Sequence, residues 1–363
     1  MKTLSKLKIE GFRGICNLEI EELTQVNLIV GDNNCGKTSM LEALQLLRSG
    51  SAANLFNIAR LRDRGALSFT NSLYDNFICM FPKSDKELKI QISGEYGRAP
   101  VFCTVVGTET RELLDLNELD RFARREFADA NGETETDVFK GYSVYAVNGK
   151  SKTEEIQLNR FSRATGTSLA MSEQIEINYV APFEHLKGNI MNRIIQNDAY
   201  KEICLKALQL FDPEIEDMMI LRSDVQNRPV DYLKHKRFGN MPLSTYGDGI
   251  KKVLVLSNAI AGAANGILLI DEIETAIHKK YYDDIFRFIV KACKAFNVQV
   301  FITTHSIEAI DGLLGTQNYE TQTNDDTITV VTLKRENNKT YSRTLSGREV
   351  FENREAFDFE VRL

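Results

Sequence analysis

Residues 31–38 read GDNNCGKT, between the apolar run Val26–Val30 and the segment SMLEALQLL. The spacing G-x-x-x-x-G-K-T predicts a strand, a phosphate-cradling turn and a helix, in that order. Gly31 and Gly36 let the backbone N–H groups of the turn, with Asn33, Asn34 and Ser39 alongside, close on a phosphate chain. Lys37 carries charge to the β- and γ-phosphates, and the Thr38 hydroxyl can hold Mg²⁺. The helix that follows, expected from about Ser39 to Arg48, turns the positive end of its dipole on the same anion.

Such a turn needs a carboxylate at the end of a second buried strand to hold the water shell of Mg²⁺. Residues 267–272, ILLIDE, supply it: Asp271 on the metal side, and Glu272 placed to polarise a water as general base. One strand later, residues 301–306 read FITTHS. That order sets His305 at the carboxyl edge of the sheet, where doubly wound folds bind ligands, within reach of a γ-phosphate. Upstream, PLSTYGDGIKK (242–252) is a polar glycine turn opening a helix, a second anion site by the same physics. About 230 residues separate Lys37 from Asp271, far more than a compact phosphate-loop domain requires.

The chain has 363 residues, 43% of them hydrophobic, enough for one large or two ordinary domains. Its net charge of −6 and pI near 5.5 exclude a global pull towards nucleic acid, so any such contact is a local patch. The six cysteines are scattered with no C-x-x-C pair, which suggests neither disulfides nor zinc and fits a reducing cytoplasm. The opening MKTLSKLKIEGF has no apolar core of signal-peptide length and runs into an alternating strand pattern, so no targeting segment is expected. The apolar stretch from Val253 to Ile270 is interrupted by Ser257, Asn258, Gly262, Asn265 and Gly266. It reads as helix, turn and buried strand rather than as a membrane span.

Along the chain, a hairpin over Leu4–Ile9 and Leu18–Ile20 precedes the strand Val26–Val30. A helix is expected over Ala52–Asp63. Strands at Leu88–Ile92, Val101–Val106, Tyr142–Val147 and Glu176–Val180 suggest an antiparallel sheet beside the nucleotide lobe. Between them Arg111–Asp129 reads as a charged helix and Asp129–Asp137 as an acidic loop. Ile190–Phe211 is a helical block. A helix over Gly249–Ala264, the strand Ile267–Ile270, a helix over Ala276–Ala295 and the strand Val298–Ile302 form a β-α-β unit with apolar strands, the pattern of a covered parallel sheet. Thr327–Leu333 and Tyr341–Leu345 are expected at the edge. The division is 1–181, a first lobe with the phosphate loop and a variable insertion from about 64; 182–240, a helical insertion; and 241–363, a second lobe.

Taken together, the opening LKIEGFRGICNLEIEELTQVNLIVGDNNCGKTSMLEAL, STYGDG, LLIDEIETAIH and FITTHS resemble the ABC-type ATPase heads of the RecF, SMC and OLD-like group. The resemblance spans nearly the whole chain outside roughly 64–240. It implies an α/β P-loop NTPase head with a mixed, largely parallel central sheet, an antiparallel β subdomain and a helical insertion, using ATP and Mg²⁺. It further implies a homodimer or higher oligomer, closed head to tail, in which Thr245 and Gly247, or Ser244 in a shifted register, approach the partner's γ-phosphate. The usual Ser-Gly-Gly is Thr245-Tyr246-Gly247 here. Glu274–His278 corresponds to a dimer-contacting turn. Arg13, in the hairpin turn, is either near nucleotide or DNA, as in related heads, or a solvated turn arginine, and Gln91 is a candidate Mg²⁺-sensing glutamine. The arginines Arg121, Arg124 and Arg125, and the cluster Lys234, His235, Lys236 and Arg237, are either solvated faces or phosphate-backbone contacts. With about 60 residues after TTHS, a TOPRIM nuclease half is not expected in this chain. The resemblance therefore implies a cytoplasmic, OLD-like ATPase that regulates a separate effector, such as a TOPRIM or HNH nuclease, in phage defence by abortive infection. The alternative is a RecF-like ATP-gated DNA-binding repair protein, which keeps nucleic acid open as a partner.

Overall fold

The computed structural model describes residues 2–62, 71–83, 87–115, 133–162, 174–186, 190–222, 228–319, 327–337, 339–357 and 359–362. In chain order it contains β1 (Leu4–Phe12), β2 (Ile15–Ile20), β3 (Val26–Gly31), α1 (Lys37–Leu44), α2 (Ala52–Ala59), α3 (Leu73–Ile78), β4 (Leu88–Tyr96), β5 (Ala99–Asp115), β6 (Glu133–Val147), β7 (Lys150–Asn159) and β8 (Ile177–Val180). There follow α4 (Asn192–Ile195), α5 (Asp198–Gln209), β9 (Ile215–Arg222), β10 (Pro229–His235), β11 (Gly239–Pro242), α6 (Asp248–Gly262), β12 (Ile267–Ile270), α7 (Tyr282–Ala295), β13 (Gln299–Thr303), α8 (Ile307–Leu314), β14 (Ile328–Glu336), β15 (Lys339–Ser346) and α9 (Gly347–Phe357).

The central sheet has the order β15-β14-β3-β13-β12-β8, all parallel except β15. Every residue of β3, β12 and β13 is buried, as expected of strands covered on both faces. Alternate side chains then enter different cores. Leu268 and Ile270 of β12 pack with Leu254 of α6 and Phe286 of α7. Ile267 and Leu269 pack on the other side with Leu41 of α1 and Ile90 of β4. That second core is roofed by an antiparallel sheet of order β2-β1-β4-β5-β6-β7. The buried Gln299 side chain ties the two sheets, accepting from Leu4 N at 2.7 Å and donating to Leu4 O at 2.9 Å and Thr24 O at 2.7 Å.

Several expectations are corrected. Ile177–Val180 does not join the antiparallel sheet; as β8 it pairs in parallel with β12. Arg111–Asp115 is not helical but continues β5, each residue opposite one of Asp137–Glu133 on β6. The acidic Glu133–Asp137 is therefore strand rather than loop. The alternating T-E-T-R-E and E-T-E-T-D patterns explain this, because they suit a two-residue period and allow the cross-strand pair Arg111–Asp137 at 3.4 Å. The rest of that expected helix, with Arg121, Arg124 and Arg125, lies outside the described residues. The block Ile190–Phe211 divides at Asn197, whose side chain caps α5 by accepting from Tyr200 N at 3.0 Å. The segment 182–240 is helical only as far as Gln209; its second half forms β9 and β10 of a three-stranded antiparallel sheet, β11-β10-β9. Helix α7 begins at Tyr282 rather than Ala276, where φ is +68°. β14 is an interior strand beside β3, which leaves β15 as the edge. α1 ends at Leu44 and continues as a 3₁₀ turn over Gln45–Leu47, and α2 stops at Ala59, before the expected Asp63. Among the described residues no helix is long and apolar enough to cross a membrane.

Candidate nucleotide site

The phosphate turn joins β3 to α1 at the carboxyl edge of the central sheet. Gly31 has φ +138°, and a Cβ there would lie 2.1 Å from the Leu333 carbonyl oxygen of β14, so only glycine fits. Gly36, at φ +110°, is the N-cap of α1, which has no side-chain cap. The N–H groups of its first turn are thus the donors that an anion satisfies. Lys37 is nearly buried, and its Nζ donates to the carbonyls of Gly31 at 2.8 Å and Asp32 at 2.7 Å, beside Cys35 Sγ at 3.6 Å.

At the end of β12, the Asp271 carboxylate accepts three hydroxyl hydrogen bonds: from Thr38 Oγ1 at 3.0 Å, Tyr179 OH at 3.1 Å and Thr303 Oγ1 at 2.5 Å. Burial and then the Asp271 charge push the Tyr179 phenol well above its ordinary range, so it is held as a donor. Thr303 Oγ1 also accepts from Glu272 N at 2.8 Å. Glu272 has φ +48°, a costly backbone for a non-glycine residue that persists where its surroundings over-determine it. Glu272 lines a cleft of about 950 Å³ together with Asn33, Asn34, Gly36, Lys37, Thr38, Ser39, Asp271 and His305. His305 is held through its backbone: its N–H donates to Glu274 Oε1 at 2.7 Å.

Arg62 and Glu42 also line the cleft, with no site role expected for either from sequence. Arg62 donates to both carboxylate oxygens of the buried Glu42 at 2.9 Å and to Ser39 Oγ at 3.0 Å. Arg13 reaches the same Glu42 with Nε at 2.6 Å, although without good hydrogen-bond alignment. It is therefore a buried ion-pair member, not a solvated turn residue. Burial lowers the pKa of its guanidinium, with Glu42 opposing the effect. Behind Asp271 the fully buried Lys252 of α6 donates to Pro182 O at 3.3 Å. Burial draws its ammonium down to about 8, against the charges of Glu274, Asp271, Glu272 and Glu184. Gln91 sits on β4 opposite Glu10 and does not line the cleft. The loop after β8, including Pro182, Phe183 and Glu184, does.

Ser244, Thr245 and Gly247 are exposed and do not line this cleft. They form the turn at the start of α6, with Gly247 as N-cap and no atom within 4 Å of where its Cβ would be. Tyr246, where the related heads have glycine, turns its ring onto the helical core and so leaves the faces of Thr245 and Gly247 open. Of the basic cluster, Lys234 pairs with Glu216 at 3.0 Å and Arg237 with Glu214 at 2.5 Å. His235 Nε2 lies 3.3 Å from Asp212 and 3.6 Å from Glu214, a grouping with metal-ligand residue types. Its Nδ1 accepts from Arg237 N at 3.1 Å. With Nδ1 taken by the Arg237 N–H, the Nε2 edge of the ring faces the two acids.

Thr38 Oγ1 and the Asp271 carboxylate are hard oxygen donors in contact, a donor set that fits Mg²⁺. Fold and site together define an ABC-type P-loop ATPase of the RecF, SMC and OLD group. A family model described as "AAA ATPase domain" matches residues 1–206, and a second AAA domain model matches 164–311. The chain belongs to the AAA ATPase domain family. It is 23% identical to an ATP/GTP phosphatase of Helicobacter pylori, over 97% of this chain and 99% of that one. It is 22% identical to the endonuclease GajA of Bacillus cereus, over 83% of this chain and 54% of that protein, and 22% identical to RecF of Rickettsia canadensis, over 85% and 96%. In fold it is similar to an Smc head bound to the C-terminal winged-helix domain of ScpA, with TM-score 0.51 and 15% identity over 96% of this chain and 99% of that one.

Proposed function

We propose that this ATPase works with Mg²⁺ as a head-to-tail dimer and regulates a separate effector, a nuclease of the TOPRIM or HNH kind, in defence against phage. The observation that carries the ATP chemistry is the convergence of Lys37, Thr38, Asp271, Glu272 and His305 on one cleft. ATP lies with its β- and γ-phosphates on the α1 N-terminus and on Lys37, whose ammonium exchanges the loop carbonyls for phosphate oxygens. Thr38 and Asp271 would hold a Mg²⁺ ion, which when bound would supply positive charge against the phosphates. Glu272 takes a proton from water as the water oxygen bonds to the γ-phosphorus. The bond from that phosphorus to the β,γ-bridging oxygen breaks, leaving ADP and phosphate. His305 donates to a γ-phosphate oxygen.

The dimer reading rests on Thr245 and Gly247, which lie outside the chain's own cleft on an open helix start and are free to meet the γ-phosphate of a second copy. The effector reading draws on the similarity to GajA, an endonuclease matched over 54% of its length, and on a second family model whose description links it to the AbiEii toxin of a type IV toxin–antitoxin system. ATP-gated DNA binding is the second reading, favoured by the match to RecF over 96% of that protein. The pairing of Lys234 and Arg237 with acids weighs against that patch as a DNA contact. The test of the ATP site is Glu272→Gln, which should keep ATP binding and slow turnover by roughly 10²–10⁴-fold. Turnover within threefold of wild type would sink the assignment. For the effector, co-purification of the Glu272→Gln protein with the product of the neighbouring gene, with and without ATP, is decisive: no complex in either state leaves the DNA reading ahead.

A further inference from the structure

β13 ends at Thr303, and the ladder has one more bond, Thr304 N to Ile29 O at 3.3 Å. Beyond it the backbone of His305 leaves the sheet, and its peptide groups need other partners. Glu274 takes the N–H. The carbonyl accepts from Arg362 Nη1 at 2.9 Å. Arg362 comes from the segment that follows α9, and its guanidinium is not a loose surface cation. Its Nε and Nη2 form a fork on Glu360, at 2.7 Å and 2.6 Å, which leaves Nη1 aimed at His305. That fork holds the Glu360 carboxyl down at about 2.

The segment itself is fastened to the sheet. Val361 is fully buried, and its carbonyl accepts from Thr332 Oγ1 at 2.7 Å. Thr332 stands opposite Val30 of the phosphate-loop strand. Phe359 is held by Arg354, which donates to its carbonyl at 2.9 Å, and by the Arg343 guanidinium 5.2 Å above its ring. Glu360 and Arg362 thereby form one wall of a cleft of about 300 Å³ whose other walls are Gly31, Asp32, Asn33 and His305.

We propose that Arg362 is a positioning residue for ATP hydrolysis: clamped by Glu360, it holds the His305 carbonyl and so sets where the imidazole meets the γ-phosphate. The inference rests on the reading of His305 as the γ-phosphate contact. Arg362 touches no reacting atom on this account. Its loss lets the 304–306 backbone drift, and a small misplacement of a catalytic group is expensive in rate while ground-state binding through Lys37 and the loop survives.

The experiment is steady-state ATP hydrolysis by the full chain as wild type, Arg362→Ala, Arg362→Lys, His305→Ala and the Arg362→Ala/His305→Ala double variant. Arg362→Ala should lower kcat on the order of tenfold with KM for ATP within about twofold, and Arg362→Lys should recover part of the loss. The double variant should be no slower than His305→Ala alone, because the arginine acts only through the histidine. Wild-type kcat in Arg362→Ala, or multiplying losses in the double variant with His305→Ala itself slow, overturns the inference and leaves the reading of His305 standing. Wild-type turnover by His305→Ala overturns both. If Arg362→Ala melts below the assay temperature, Glu360→Gln, which loosens the fork but keeps the arginine, is expected to show the same kcat loss and the same non-additivity.

Discussion

Replacing Lys252 by methionine should remove a large pH dependence from the stability of this protein. Lys252 lies just inside α6, the helix that Gly247 caps, with no exposed surface and a single 3.3 Å bond to Pro182 O. Burial depresses its folded pKa from 10.5 to about 8, while Glu274, Asp271, Glu272 and Glu184 act to raise it. The sign follows from proton counts. Between pH 8 and 10.5 the unfolded chain keeps the lysine proton that the folded chain has released, so stability rises with pH across that window. The gap between 10.5 and about 8, at 1.36 kcal/mol per pH unit, is worth about 3 kcal/mol, of which roughly 2 kcal/mol falls between pH 7.5 and 10. Methionine fills most of the space of the lysine stem, one atom shorter, and has no proton to lose. Pro182 O keeps a second partner, His185 Nδ1 at 3.2 Å. The assay is urea unfolding of both proteins at pH 7.5 and pH 10. Other titrating groups cancel in the comparison, and wild type should gain on the variant by roughly 2 kcal/mol from the lower pH to the higher. A difference that stays constant within about 0.5 kcal/mol would refute the argument that this ammonium is buried at a cost.

Three further outcomes follow from the site. Thr303→Val removes the hydroxyl that donates to Asp271 and accepts from Glu272 N; it should cost about 2 kcal/mol on thermal or urea unfolding and lower kcat more than ATP affinity. Gly31→Ala forces a Cβ to 2.1 Å from the Leu333 carbonyl at φ +138° and should destabilise by roughly 3 kcal/mol or more; a melting temperature equal to wild type would show that β14 does not press on the loop. Gly247→Glu meets open space in the monomer and should fold and bind ATP, yet abolish any ATP-dependent rise in mass of the Glu272→Gln protein by light scattering, and an undiminished rise would count against phosphate contact through this turn.

The parallel sheet was legible because its strands are short apolar runs bounded by polar turns: Ile267–Ile270 is the strand expected, and Gln299–Thr303 is displaced by one residue from expectation. The antiparallel lobe was legible in kind but not in extent. β5 and β6 run 17 and 15 residues, and their outer ends carry Thr, Glu, Arg and Asp, which composition alone assigns to helix or loop. What makes them strand is each other, since a two-residue period of charges is stabilised only by the facing ladder. For the same reason β8 was assigned to the wrong sheet: its residues show that it is a strand, but its neighbour, β12, lies some 90 positions away in sequence.

The candidate site divides along the same line. Lys37, Thr38, Asp271, Glu272 and His305 stand in short motifs whose chemistry is local, and the structure brings them to one cleft. Tyr179, Arg62 and Lys252 carry no motif, because what gives each a role is a distant partner: Asp271 for the tyrosine, Glu42 for the arginine, and Pro182 for the lysine. Tyr246 makes the point from the other side. By pattern it weakens the expected Ser-Gly-Gly turn, since a bulky ring stands where close approach to phosphate requires none. In the fold the ring is directed into the core beneath α6, so the bulk is removed from the surface that Thr245 and Gly247 present. The same packing fixes the turn to the helix that also carries Lys252. A phosphate arriving at Gly247 from a second copy would therefore press on a helix whose buried lysine holds Pro182 O, in the loop that lines this chain's own cleft. In the head-to-tail dimer proposed above, that contact would join the ATP site of one copy to the cleft loop of the other.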